Sequence, residues 1–467
     1  MVFSSLTFLY FFLPVVLIVY MAASKKLKNL ILLIAGLIFY AWGEPVYIWV
    51  MIASSLVDYA AGLYMSKSDK QSSRRLALVI SMVVDLGFLF VFKYSGFVVN
   101  VINTCFKTSI TEPDLPLPIG ISFYTFQSMS YTIDIYLKKV KVQKNFINYL
   151  TYVSLFPQLV AGPIVRYDEV AEEIDDRKIN ADNVGEGAGL FIKGLAKKVL
   201  LANNIGMLWT QIKAMDYSEL SVLSAWLGIL AFTFQIYFDF SGYSDMARGL
   251  GKIFGFNFPV NFDHPYQSKS ISEFWRRWHI TLGSWFRTYV YIPLGGNRNG
   301  KAKTYRNLAI VWLLTGFWHG ASFNFILWGA FYGILIIIER LGFSKVLEKL
   351  PAAVSTAYTF FMVVLGWVLF DVDSMTDVIH YLKAMFAGNV LCDSLALYQL
   401  GSYAVMFILC IFASTDCWSK ITEKISAKKP LQGVYSISVP VVQLLLLLLS
   451  TCYLVDATYN PFLYFRF

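Results

Sequence analysis

Of the four histidines in this 467-residue chain, one lies where an ionisable side chain is costly. His319 closes the run Leu308-Ala309-Ile310-Val311-Trp312-Leu313-Leu314-Thr315-Gly316-Phe317-Trp318-His319-Gly320. A second apolar run, Phe323 to Ile338, leads on to Glu339 and Arg340. An ionisable group at membrane depth marks a functional site by default. Burial disfavours the charged imidazole, which leaves it neutral, as a general base must be. Trp312, Trp318, Phe323 and Trp328 would exclude water, as a reactive thioester requires. The bland alternative is a core histidine satisfied by a backbone carbonyl.

His279 stands in Ile271–Pro293 among Trp275, Trp278, Trp285, Arg276, Arg277 and Arg287. It either orients a ligand or snorkels toward water. The three guanidinium forks suit phosphates. Asn324 and Gln127 are polar candidates for lining a passage. His264, in Asn261-Phe262-Asp263-His264-Pro265-Tyr266, reads as turn chemistry, and His380 as exposed. The five cysteines have no metal-ligand spacing, so neither a metal nor a redox role is expected.

The elements that must hold these residues are membrane helices. The chain is 57% hydrophobic and 15% charged, more apolar surface than a soluble fold of this length could bury. Stretches such as 6–23, 76–101, 220–238, 354–370 and 434–455 approach or exceed the roughly 20 residues that cross a bilayer. No alternating ten-residue pattern suggests a barrel. The segment 6–23 lacks a basic leading region and is read as a retained first span rather than a signal peptide. The net charge of +9 sits in short clusters between spans, which fits the positive-inside rule better than nucleic-acid binding.

Those clusters set the topology. Lys25, Lys26 and Lys28 put the first loop in the cytoplasm and the N-terminus outside. Lys67, Lys70, Arg74 and Arg75, then Lys138, Lys139, Lys141 and Lys144, return to the same side. The acidic loop with Glu112 and Asp114 lies opposite. Pro157, Gly162 and Pro163 break segment 149–165, a pattern tolerated at depth only under protein cover. Segment 185–204 reads as amphipathic. Segment 271–293 reads as one in-plane helix, with its tryptophans in lipid and its basic face toward headgroups or a ligand. Leu308 to Trp318 gives about 16 Å of helix, reaching roughly the middle of the hydrocarbon core. With a turn at Gly320-Ala321-Ser322, a hairpin entering from the cytoplasm would place His319 near the midplane; a full crossing is the alternative. The last span leaves the C-terminus outside. The chain divides into N-terminal helices (1–145), a core holding both histidines (146–345), C-terminal helices (346–459) and an aromatic tail (460–467).

Several motifs together resemble the membrane-bound O-acyltransferases. They are Phe39-Tyr40-Ala41-Trp42-Gly43-Glu44-Pro45, Pro118 to Gln127, Phe156-Pro157-Gln158-Leu159-Val160-Ala161-Gly162-Pro163, Tyr237 to Ala247, Phe274-Trp275-Arg276-Arg277-Trp278-His279, and Gly316-Phe317-Trp318-His319-Gly320-Ala321-Ser322. With the opening Met1-Val2-Phe3-Ser4-Ser5, they are most similar to the branch that O-acetylates bacterial alginate, peptidoglycan and cellulose. The resemblance runs end to end. It implies an all-α polytopic fold of about 11–13 membrane helices, with re-entrant and in-plane helices around a central tunnel. It implies acyl transfer to a hydroxyl, with His319 catalytic and His279 as the second histidine. The tail Asn460-Pro461-Phe462-Leu463-Tyr464-Phe465-Arg466-Phe467 resembles that of exporting members and of a small partner in teichoic acid D-alanylation, where a tyrosine is proposed to carry the acyl group. Here that residue would be Tyr464; an aromatic belt at the interface is the alternative.

The expected activity is therefore transfer of an acetyl group from a cytoplasmic thioester, acetyl-CoA, for O-acetylation of an exported polysaccharide. The expected place is the cytoplasmic membrane of a bacterium, in contact with its lipids. No bound cofactor is expected, and an extracytoplasmic acetyltransferase of the serine-esterase type is the expected partner. Two rivals stand beside this reading: D-alanyl transfer from a carrier protein to a cell-wall polymer, and a non-enzymatic transporter, against which the lack of a repeat counts.

Overall fold

The computed structural model describes residues 1–160, 162–388, 390–426, 429–456 and 463, with the side chains of 429–432, 434 and 435 excepted. Among the described residues the regular structure is helical, with no strand. A helix pairs its backbone groups within the segment, which is what a lipid interior demands. Seven helical stretches are long and apolar enough to cross a membrane: Ile48–Lys67, Gln71–Phe106, Val222–Phe254, Phe323–Lys349, Ala352–Asp371, Ser394–Ala413 and Ser436–Asp456. The protein is a multi-pass membrane protein. Other apolar helices expected among the 11–13 are shorter, such as Lys28–Ala41 with 14 residues and Ile121–Tyr136 with 16. The second of these is buried on nearly every face, as a core helix is.

The chain forms two compact units. The first comprises 1–191 and 246–259, the second 192–245 and 260–467. In the first, α1 (Ile48–Lys67), α2 (Gln71–Leu89) and α3 (Ile121–Tyr136) pack together. Asp58 of α1 is fully buried and accepts a hydrogen bond from Ser81 of α2 at 2.6 Å. The expected interruption in 149–165 falls at Leu155, between α4 (Phe146–Ser154) and the short Phe156–Leu159 turn that begins before Pro157. Asn145 caps α4, accepting from the Ile147 N–H at 2.9 Å.

In the second unit, α5 (Ala181–Ala196) continues from the first unit into a π-type turn over Lys197–Ala202. Against this turn lies α6 (Val222–Phe254), in its part up to Asp245. Beyond it come α7 (Ile271–Arg277), α8 (Ile280–Phe286), α9 (Lys301–His319), α10 (Phe323–Ile338) and α11 (Ala352–Asp371). Segment 271–293 is thus not one helix. It breaks between α7 and α8, then ends in a π-type turn over Arg287–Tyr291. Its tryptophans also face the other way from the expectation: Trp278 and Trp285 are buried in protein rather than presented to lipid.

Candidate active site

The α9–α10 hairpin carries His319 as the last residue of α9. Its two arms touch at backbone distance. A Cβ added at Gly316 would overlap the Phe325 carbonyl oxygen, and one at Gly329 would overlap that of Trp312. Small residues are what permit such an approach between membrane helices. Gly320 is extended at φ −172° and ends the helix directly after the imidazole. The His319 ring is buried and wrapped by aromatic neighbours. Ring centroids lie at 5.0 Å for Trp318, 4.9 Å for Trp328 and 5.4 Å for Phe370, all near edge-to-face. Asn324 secures the other arm by donating from Nδ2 to the Val372 carbonyl at 2.6 Å.

His279 occupies the break between α7 and α8. Its backbone is left-handed, at φ 46° and ψ 52°, which costs a residue with a Cβ about 1–2 kcal/mol. The upstream loop holds this conformation. The Asp263 N–H donates to the Arg277 carbonyl at 2.9 Å and the Ile280 N–H donates to the Asn261 carbonyl at 3.0 Å, so two short segments pair around the histidine. The Asn261 side chain completes the brace. Its Oδ1 accepts from the Thr281 N–H at 3.2 Å and from the Thr281 hydroxyl at 3.0 Å, and lies 3.1 Å from His279 Nδ1. An atom that accepts from a backbone N–H is the oxygen of the amide. His279 Nδ1 must therefore donate to it, which leaves the lone pair on Nε2. Nε2 is buried and has no hydrogen-bond partner among the described residues. Burial pushes the His279 pKa down to about 3, so the ring is neutral at physiological pH.

A carboxylate missed by the motif reading positions the start of this segment. Glu339, buried at the end of α10, accepts from the Ile271 N–H at 2.6 Å, the Ser272 N–H at 2.9 Å and the Ser272 hydroxyl at 2.6 Å. Negative charge at a helix N-terminus meets otherwise orphaned N–H groups. The hairpin that carries His319 thereby also anchors the helix leading to His279.

The two imidazoles share one neighbour. Trp318 is 6.0 Å from the His279 ring and 5.0 Å from His319, centroid to centroid. Phe240 meets His279 edge-on at 4.7 Å. Trp278, next to His279, and Trp328, next to the His319 ring, belong to one contiguous apolar cluster. Buried imidazoles within aromatic walls, where bulk water is excluded, are placed as bases for hydroxyl protons are in catalysis.

The other expected residues are dispersed. Arg276 and Arg287 are exposed. Arg276 lines a cavity of about 370 Å³ with Lys269, Glu273 and Glu348. Arg277 pairs with Glu273 at 2.8 Å, one helical turn away. Gln127 belongs to the first unit, fully buried on α3. Tyr464 lies outside the described residues. His264 has a left-handed backbone and sits 3.1 Å from Asp263, in keeping with turn chemistry, and His380 is exposed. Asn261 and Asp263 were visible in sequence only as turn formers. The clue to their second role was their nearness in chain order to His279.

Two buried imidazoles, one on a helical hairpin and one at a helix break, thus lie in a multi-pass membrane protein. Comparison with known proteins gives the family. The model of the membrane-bound O-acyltransferase family matches residues 54–370, which include both histidines, Asn261 and Glu339. A probable alginate O-acetylase of Pseudomonas putida is 38% identical over the whole of both chains. Its counterpart in Pseudomonas syringae pv. tomato is 42% identical over 83% of this chain and 75% of its own. A peptidoglycan O-acetyltransferase of Helicobacter pylori is 34% identical over 83% of this chain and 80% of its own. The chain belongs to the membrane-bound O-acyltransferase family and is an O-acyltransferase.

Proposed function

We propose that this enzyme takes an acetyl group from acetyl-CoA on the cytoplasmic side of a bacterial cytoplasmic membrane and passes it across for O-acetylation of an exported polysaccharide. The observation that carries the reading is the pair of buried histidines packed on Trp318. The relatives' activities on alginate and peptidoglycan supply the acceptor class. Both termini lie outside the cell in this reading.

His319 acts as general base. It takes the proton of the acceptor hydroxyl as that oxygen attacks the thioester carbonyl; the C–S bond breaks, and the leaving thiolate takes the proton from the imidazolium. His279, with its lone pair on Nε2, holds the hydroxyl in line. Exposed Arg276 and Arg287 meet the donor's phosphates on the aqueous side. The first acceptor is the phenol of Tyr464. The serine hydroxyl of an extracytoplasmic acetyltransferase then attacks the tyrosine ester, the phenol regains its proton, and the acetyl group moves on to the polymer.

The experiment uses the full-length protein in vesicles with labelled acetyl-CoA, a D-alanyl carrier thioester being the competing donor. Acetyl-CoA should be consumed, and His319→Ala should abolish transfer. Full transfer by His319→Ala would overturn the assignment, and consumption of the D-alanyl donor in place of acetyl-CoA would overturn the donor. Tyr464→Phe should stop transfer while the protein remains folded; normal transfer by that variant discards the carrier step.

A further inference from the structure

Phe240, whose edge meets His279, has a charged neighbour on α6 that no step above uses. Asp239 pairs with Lys198 at 2.7 Å, and each side chain is only 2% exposed. A buried ion pair persists only when the remaining acceptor positions also find donors. One such donor comes from the far end of the chain. The backbone N–H of Leu463 donates to Asp239 Oδ2 at 3.0 Å, across 224 residues of sequence. Leu463 is itself buried and belongs to the same apolar cluster as Trp278 and Trp328.

The elements beneath this contact are closely packed and paired twice. A second ion pair, Lys197 with Asp245 at 2.7 Å, joins the same two elements. A Cβ added at Gly242, almost one turn beyond Asp239, would lie 2.7 Å from the Gly194 carbonyl oxygen, so α5 and α6 meet at backbone distance here. Lys198 stands in the π-type turn of residues 197–202. Such turns are frequent at functional sites.

We infer that Asp239, held by Lys198, is the docking point of the chain's own C-terminal end, gripping it at the backbone amide of Leu463. The grip is on a main-chain amide. It therefore tolerates a change in the chemical state of the neighbouring side chain, as an acyl carrier requires. That purpose rests on the carrier reading of Tyr464; the docking does not. Asp239 and Lys198 are positioning residues.

The test digests the full-length protein in detergent with chymotrypsin and follows cleavage beside Phe462, Tyr464 and Phe465 by mass spectrometry. Asp239→Leu combined with Lys198→Met removes both charges and leaves no lone buried ion. Cleavage of the tail should then be at least roughly tenfold faster, the effect of one charge-assisted hydrogen bond on the closed population. An unchanged rate overturns the inference. Should that variant not fold, Leu463 introduced as its α-hydroxy acid replaces the N–H by oxygen and leaves the interior intact; the same acceleration is expected, and its absence is equally fatal. The carrier reading fails separately. If Tyr464→Phe retains transfer while the double variant exposes the tail, the carrier falls and the docking stands. If Tyr464→Phe loses transfer while the double variant leaves cleavage unchanged, the docking falls and the carrier stands.

Discussion

Replacing Asn261 with alanine tests whether the orientation of His279 matters to transfer. The substitution deletes one oxygen that serves three groups: the Thr281 N–H at 3.2 Å, the Thr281 hydroxyl at 3.0 Å and His279 Nδ1 at 3.1 Å. A buried donor left unsatisfied costs about 1–3 kcal/mol. The hydroxyl can rotate toward another acceptor and the imidazole can turn or change tautomer, but the backbone N–H cannot, so a loss of about 1–3 kcal/mol is expected. The backbone pairing of the Asn261 carbonyl with Ile280 survives, since it needs no side chain. The break should therefore persist, with a loosened ring and no fixed tautomer. A displacement of about 1 Å at a reacting group costs about 100-fold in rate. Asn261→Asp is the discriminating partner. It keeps the acceptor and recovers most of the stability, but its charge favours the imidazolium and raises the His279 pKa above its present value of about 3. The acid limb of the pH–rate profile should accordingly move to higher pH. Thioester consumption by purified protein, measured against pH beside thermal unfolding, reads all three effects. If Asn261→Ala loses stability but keeps full kcat, His279 is a structural residue and its lone pair takes no part.

Three further outcomes follow from the same geometry. His279→Ala and His279→Gly should both lose transfer, while the glycine variant is at least as stable in thermal unfolding, because alanine retains the left-handed cost of about 1–2 kcal/mol; a fully active glycine variant would exclude a role for the ring. Glu339→Gln turns one oxygen toward Ile271 or Ser272 into a donor facing a donor, and should destabilise by about 2–4 kcal/mol in chemical denaturation while lowering kcat through displacement of α7. Folding stability should fall as pH drops below about 6.5, because His279 is neutral in the fold and protonates readily once unfolded; a pH titration of the unfolding midpoint in His279→Asn should show a weaker acid loss.

The hairpin was legible in the sequence because its cues are local. Eleven residues from Leu308 to Trp318 and the Gly320-Ala321-Ser322 turn fix where α9 must end. The break at His279 was not. By periodicity Ile271–Pro293 reads as one amphipathic helix, and what interrupts it is a pairing with Asn261 and Asp263, many residues upstream. The direction of Trp278 and Trp285 was misread for a related reason. Tryptophan suits a lipid interface and a protein core alike, and the neighbouring arginines suggested the first. Lys198 looked like one more basic residue on an amphipathic face. Its burial depends on Asp239, and no rule of spacing links positions 198, 239 and 463.

Trp318 has an energetic consequence for anyone dissecting the site by mutation. Both imidazoles lean on its indole, so truncating it disturbs two rings in a single step. Losses measured at 279, 318 and 319 therefore cannot be summed as independent contributions. A double-mutant cycle between His279 and His319 in the presence of Trp318, repeated with phenylalanine there, would measure how much of their apparent cooperation is carried by that shared support.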